Sequence, residues 1–97
     1  MKTDVKKAVS AARNYLQSLQ DAMGGNLEDL RLEEVEISED EKHWFVTLGF
    51  IRPTEKAANK LGEILAISQS PREYKIFKID SETGEVQSMK RGVARDL

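Results

Sequence analysis

The chain has no cysteine, only two prolines and a single histidine in 97 residues. Without cysteine there are no disulfides, thiolate metal sites or thiol nucleophile, so stability has to come from apolar burial alone. No apolar run approaches the roughly 20 residues that a membrane span requires. The N-terminus, MKTDVKKAVSAARNY, has no continuous apolar stretch of signal-peptide type, and a cytoplasmic location with no membrane partner is expected. A concentrated basic run is missing as well, which disfavours a nucleic-acid partner because phosphate neutralisation needs one. What is present, 39% apolar and 33% charged residues, suits one folded domain over residues 1–97.

The formal charge of -2 conceals an asymmetry. Between Glu28 and Glu41 eight acids (Glu28, Asp29, Glu33, Glu34, Glu36, Glu39, Asp40, Glu41) meet one base, Arg31, for a local charge of -7. The remainder carries 14 bases and 9 acids. Two readings stand. In one, the acidic stretch is a solvated strand face and turn with lysines supplied by neighbouring strands; in the other, it meets a basic partner and speeds association through complementary charge.

Residues 4–23 repeat Val5, Ala8, Val9, Ala12, Tyr15, Leu16, Leu19 and Met23 at three- and four-residue intervals, the stripe of an amphipathic helix. Thr3 is the expected N-cap, Asp4 suits the positive end of the dipole, and Gly24-Gly25 supplies a left-handed stop. Leu30 and Leu32 then alternate, as do Val35 and Ile37, but the pairs are out of phase by one residue. That slip calls for a bulge near Glu33-Glu34 or a strand that starts around Glu33. Ser38–Lys42 makes a turn, and His43–Ile51 alternates cleanly, with Trp44, Val46, Leu48 and Phe50 on one face and Phe45, Thr47, Gly49 and Ile51 on the other.

Pro53 ends that strand. Ala57, Ala58, Leu61, Ile64 and Leu65 predict a short second helix over 54–67. Tyr74–Ile79 is a strand with Phe77 and Ile79 on one face and Tyr74 and Ile76 on the other. Asp80–Gly84 is a hairpin turn, with Asp80 accepting from local amides and Gly84 taking positive φ. Val86–Arg91 is the last strand, and Gly92–Leu97 a frayed tail. The expected fold is therefore α+β, a long N-terminal helix on a four-stranded antiparallel sheet with a short second helix between the second and third strands.

The long helix, the W-F-V-T-L strand (Trp44–Leu48) and Y-K-I-F-K-I-D-S-E-T-G-E-V (Tyr74–Val86) together resemble a PepSY-type domain. The matching positions of the closing hairpin are Asp80, Thr83, Gly84 and Val86. The resemblance implies a cystatin-like fold and a free-standing member that binds other proteins and catalyses nothing. This chain departs from the pattern in lacking an export signal and in the insertion at 53–70.

No catalytic constellation emerges. His43 has no nucleophile assigned to it, and the serines, Ser81 among them, lie in no nucleophile elbow. Glu34 and Glu36 share a face, but S-E-D-E-K has neither the spacing nor the glycine of a calcium loop, and no metal or other cofactor is expected. Gly24-Gly25 ends a helix rather than starting one, so it is no phosphate loop.

The doubly apolar sheet is more informative. One helix covers one face, leaving Phe45, Ile51, Tyr74 and Ile76 on the other, to be covered by the 54–67 helix or by a second chain. Lys75, Lys78 and Lys90 are its expected rim. The leading expectation is a non-enzymatic protein-binding module, homodimeric or bound to another protein, that uses this face or the acidic hairpin with Glu34 and Glu36. An inhibitor of immunity or antitoxin type, masking a basic site, is a version of the same class. A small-ligand binder or enzyme with a pocket between helix and sheet is the expectation from a different class.

Overall fold

The structure is a computed structural model that describes residues 3–52 and 72–92. The predicted helix at 54–67 lies outside the described residues. Helix α1 (Val5–Ser18) is followed by strands β1 (Glu28–Ile37), β2 (His43–Ile51), β3 (Arg72–Asp80) and β4 (Val86–Gly92). The four strands form one antiparallel sheet in the order β1-β2-β3-β4, with α1 packed on one face, so the α+β class is as expected.

Helix α1 starts one residue later than predicted. Asp4, not Thr3, is the N-cap: its backbone is extended, and its Oδ1 accepts the Lys7 N–H at 2.8 Å. Thr3 is buried and occupied elsewhere, its N–H donating to the Ser81 carbonyl and its own carbonyl accepting the Trp44 indole N–H at 2.9 Å. The far end is shorter than predicted too. Ser18 Oγ donates back to the Tyr15 carbonyl, and residues 19–23 continue as hydrogen-bonded turns. The turns close in a Schellman motif, Gly25 N–H to Gln20 O and Gly24 N–H to Asp21 O, with Gly24 at φ 102°. The glycine pair is thus a left-handed stop, placed after these turns.

Fourteen residues give a helix of about 21 Å. It presents Ala8, Ala12 and Leu16 to the sheet, all with no exposed surface. Two alanines allow a close approach, and Val46, Leu48, Phe50, Phe77 and Ile79 fill the opposing layer. Tyr15 sets its ring edge-to-face on Phe77, centroids 6.2 Å apart. Met23, Leu27 and Leu30 extend the apolar layer beyond the helix.

The out-of-phase leucines and branched residues of β1 are reconciled by a bulge. Leu32 pairs with Leu48 and Glu34 with Thr47, leaving Glu33 as the extra residue. Strand β1 begins at Glu28, so the later start at Glu33 does not apply. A second irregularity lies between Glu28 and Arg31, where Asp29 takes φ 52°. Gly92 is no part of a frayed tail, because it ends β4 opposite Tyr74; residues 93–97 lie outside the described residues.

The two hairpin turns and the N-terminal segment are tied together at one end of the sheet. Asp40 Oδ1 accepts from Ser38 Oγ and from the Lys42 N–H in the first turn. Asp80 Oδ1 accepts the Glu82 and Thr83 N–H groups in the second, and Gly84 takes φ 77° as predicted. Ser81, buried, donates its hydroxyl to the Glu41 carbonyl at 2.7 Å and its N–H to the Lys42 carbonyl. No candidate nucleophile, this hydroxyl is a structural link between turns.

Candidate functional site

Strand alternation sends β2 and β3 side chains to two faces, and pairing aligns them in rows. On the face away from α1, Glu34 stands opposite Thr47, Thr47 opposite Ile76, and Ile76 opposite Lys90. The next row runs Glu36, Phe45, Lys78, Ser88. A third row joins Arg31, Gly49, Tyr74 and Gly92. Phe45, Ile51, Tyr74 and Ile76 therefore share the outer face, as alternation predicted. Phe45, Tyr74 and Ile76 are half-buried, whereas Ile51 is only 9% exposed.

A depression of about 300 Å³ opens on this face, lined by Glu34, Glu36, Phe45, Thr47 and Ile76. Its floor is apolar and hydroxyl, and its β1 side carries the two carboxylates. Lys78 and Lys90 are on the same face, on the β3–β4 side. Lys75 is not: it pairs with Leu48 and Arg91, with the parity of Phe77 and Ile79, so the rim predicted for it belongs to the helix side. Nor does the strand beside β1 supply lysines to the acidic residues, since Thr47 and Phe45 stand directly across from Glu34 and Glu36. Among the described residues, the lysines of this face lie one and two strands further on, on β3 and β4.

Acidic residues at the other end of β1 are neutralised differently. Arg72 reaches from β3 across β2, its Nη1 2.8 Å from Asp29 Oδ2 and its Nη2 3.0 Å from the Asp29 carbonyl and 3.3 Å from Glu33 Oε1. Gly49 is the residue it crosses. A Cβ there would fall 2.8 Å from Glu33 Oε1 and 3.0 Å from Arg72 Nη2, so the absence of a side chain makes room for the bridge. Arg31 adds a two-point contact to Asp29, Nε at 3.0 Å and Nη2 at 2.7 Å. Hydrogen bonding from Arg31, with the charge of Arg31 and Arg72 beside it, holds the Asp29 carboxyl below its ordinary value.

His43 lies opposite Asp80 in the register. Asp80 is held below its ordinary value by the amides of Thr83 and Glu82, and Asp40 by the Ser38 hydroxyl and the Lys42 amide, with His43 a lesser influence on each. Among the described residues no group of three or more carboxylate or imidazole side chains is placed to hold a metal ion. No helix among them is long and apolar enough to cross a membrane.

No protein-family model matches the chain, and neither does any curated protein or solved structure.

Three participants escaped the sequence reading. Thr47 belongs to the floor of the depression, although its place beside Phe45 on the alternating strand pointed there. Arg72 had no local signal, because its partners are about 40 residues away; the one hint was a glycine inside a strong strand, a mark of close approach. The third is a groove of about 470 Å³ between α1 and β1, lined by Val5, Lys6, Val9, Ser10 and Leu32. Leu32 is 48% exposed there because the short helix does not cover the edge strand.

Proposed function

We propose that this chain is a non-enzymatic, cytoplasmic protein-binding module that contacts its partner through the outer face of the sheet. The observation that carries the reading is the depression over Phe45, Thr47 and Ile76, with Glu34 and Glu36 on one side and Lys78 and Lys90 on the other. A half-buried aromatic and an isoleucine surrounded by charges of both signs form the apolar centre and polar rim of a contact surface. Helix first, then a four-strand meander, also supports the PepSY-like, cystatin-like reading, whose free-standing members bind proteins.

The test is Phe45→Asp and Tyr74→Asp, each confirmed as folded by circular dichroism. Both are expected to abolish association with the partner, whether self or another protein, and unchanged association would sink the reading. The acidic hairpin gives a narrower version, inhibition of a protein with a basic site. For it, Glu34→Lys with Glu36→Lys should weaken binding and flatten its salt dependence.

A second reading, a small-ligand pocket between helix and sheet, has the α1–β1 groove in its favour. Saturable binding of an apolar fluorescent probe, lost in Val9→Lys, is the expected result for it.

A further inference from the structure

We infer that the end of the sheet where β3 begins and β4 finishes holds a binding site for a phosphate group carried on a small molecule. A depression of about 370 Å³ lies there, lined by Arg52, Arg72, Glu73, Tyr74, Lys75 and Arg91. It shares no lining residue with the depression over Phe45 and Ile76. Four of its side chains are basic and one is acidic, but their charges are not equally balanced. Arg52 is matched by Glu73, with Nη2 3.2 Å from Oε1 and Nε 3.0 Å from Oε2. Arg72 is engaged by Asp29 and Glu33. Lys75 and Arg91 remain, and among the described residues neither forms an ion pair.

The register sets these two cations directly opposite each other, one row beyond the Phe77–Met89 pair and on the same side of the sheet. Like charges directly across a strand pair repel and cost stability. Lys75 is also half-buried, where an ammonium group without a counter-ion is costly. Two cations set together with no acid between them break a rule of strand pairing, and functional sites are where such breaks are expected.

Chemistry selects the anion. Opposed side chains leave their strands about 5 Å apart, close enough for the ammonium and guanidinium groups to meet on one ligand group. Arg91 offers a planar fork of donors and Lys75 a compact charge, and phosphate accepts both. A phosphate monoester brings close to two negative charges at neutral pH and three acceptor oxygens, which match the two cations; a carboxylate brings one charge. The depression falls at the lower end of the roughly 300–1,000 Å³ of small-molecule sites, so it has room for a small organic body beside the phosphate.

Titration of the full chain with inorganic phosphate and with glycerol phosphate, followed by amide chemical shifts at constant ionic strength in chloride, tests this. Saturable shifts centred on Lys75 and Arg91 are expected, with glycerol phosphate bound at least as tightly as inorganic phosphate. Lys75→Gln and Arg91→Gln should each weaken binding about tenfold, and Lys42→Gln, at the other end of the sheet, should leave it unchanged. Each of the first two substitutions relieves the repulsion across the strands, so thermal melts without phosphate should be level or raised, and lost binding cannot come from lost folding. No saturable shift with either probe overturns the inference, as does binding that Lys75→Gln and Arg91→Gln both retain, or an equal loss in Lys42→Gln. Binding of inorganic phosphate without glycerol phosphate overturns it too, because the group would then not be carried on a larger molecule. Phe45 takes no part in any of these outcomes, so the contact-surface reading stands or falls separately.

Discussion

The two faces of the sheet are built from alternate residues of the same strands, yet they solve different problems. Toward α1, Val46, Leu48, Phe50, Phe77 and Ile79 are wholly buried against Ala8, Ala12 and Leu16. Away from it, Phe45, Tyr74 and Ile76 are half-buried, Thr47 and Ile51 are buried, and charges of both signs share the face. The first face is filled at its centre by its own chain, and its charged residues, Lys75 among them, lie outside that buried set. The second mixes apolar surface with separated charge, an arrangement suited to recognition. One residue of register, Phe77 against Ile76, separates the roles.

That adjacency offers the largest expected effect. Phe77→Ala should lower unfolding free energy by about 3–5 kcal/mol, since it opens a cavity in a filled layer. Ile76→Ala, on the half-buried face, should cost about 1 kcal/mol. Urea unfolding of both variants checks it, and equal losses would erase the distinction between the faces. Next comes Gly49→Ala, expected to cost about 0.5–1 kcal/mol because its Cβ would displace the exposed Arg72–Glu33 bridge. A neutral result would mean that the bridge lifts away freely.

A smaller effect of opposite sign is expected at Glu41, which takes φ 58° in the turn between β1 and β2. Glycine adopts that conformation without a Cβ clash, so Glu41→Gly should stabilise by about 0.5 kcal/mol. The acid limb of stability is a further check. Asp29, Asp40 and Asp80 are all held below their ordinary value of 3.8 in the folded chain. Their contribution is therefore full above that value and is lost as pH falls through the folded values, because the unfolded chain takes up protons first. Thermal melts from pH 6 downward should stay level and then decline near and below pH 4, and Asp80→Asn should soften the decline.

Much of this frame was legible in local residue patterns. Alternation in His43–Ile51 and Tyr74–Ile79 separates the faces correctly, and the phase slip between Leu32 and Val35 calls for a bulge near Glu33-Glu34 or a later start, of which the structure has the bulge, at Glu33. Asp80, Thr83 and Gly84 specify their turn within five residues of chain. What escaped depends on competition or distance. Thr3 and Asp4 are both good caps, and the choice turns on Thr3 being held by Ser81 and Trp44, more than 40 residues away in the chain. The helix end escaped because its apolar stripe runs past Ser18 into turns that bury Met23 much as another helical turn would. Arg72 likewise finds Asp29 and Glu33 only once three strands are in register. In the candidate site, alternation was enough to gather Phe45, Tyr74 and Ile76, whereas the assignment of Lys75 to their rim ignored its parity with Phe77.

The central claim is the proposal that the outer face is a contact surface for a protein, whether a second copy or another chain. Its most direct measurement is the association state, by sedimentation, of the wild-type chain beside Phe45→Asp, each alone and with a protein that the wild type recovers, at matched concentration and with matching circular dichroism. A complex for the wild type, with itself or with that protein, and none for the variant is the predicted result. The same association state for both would contradict it.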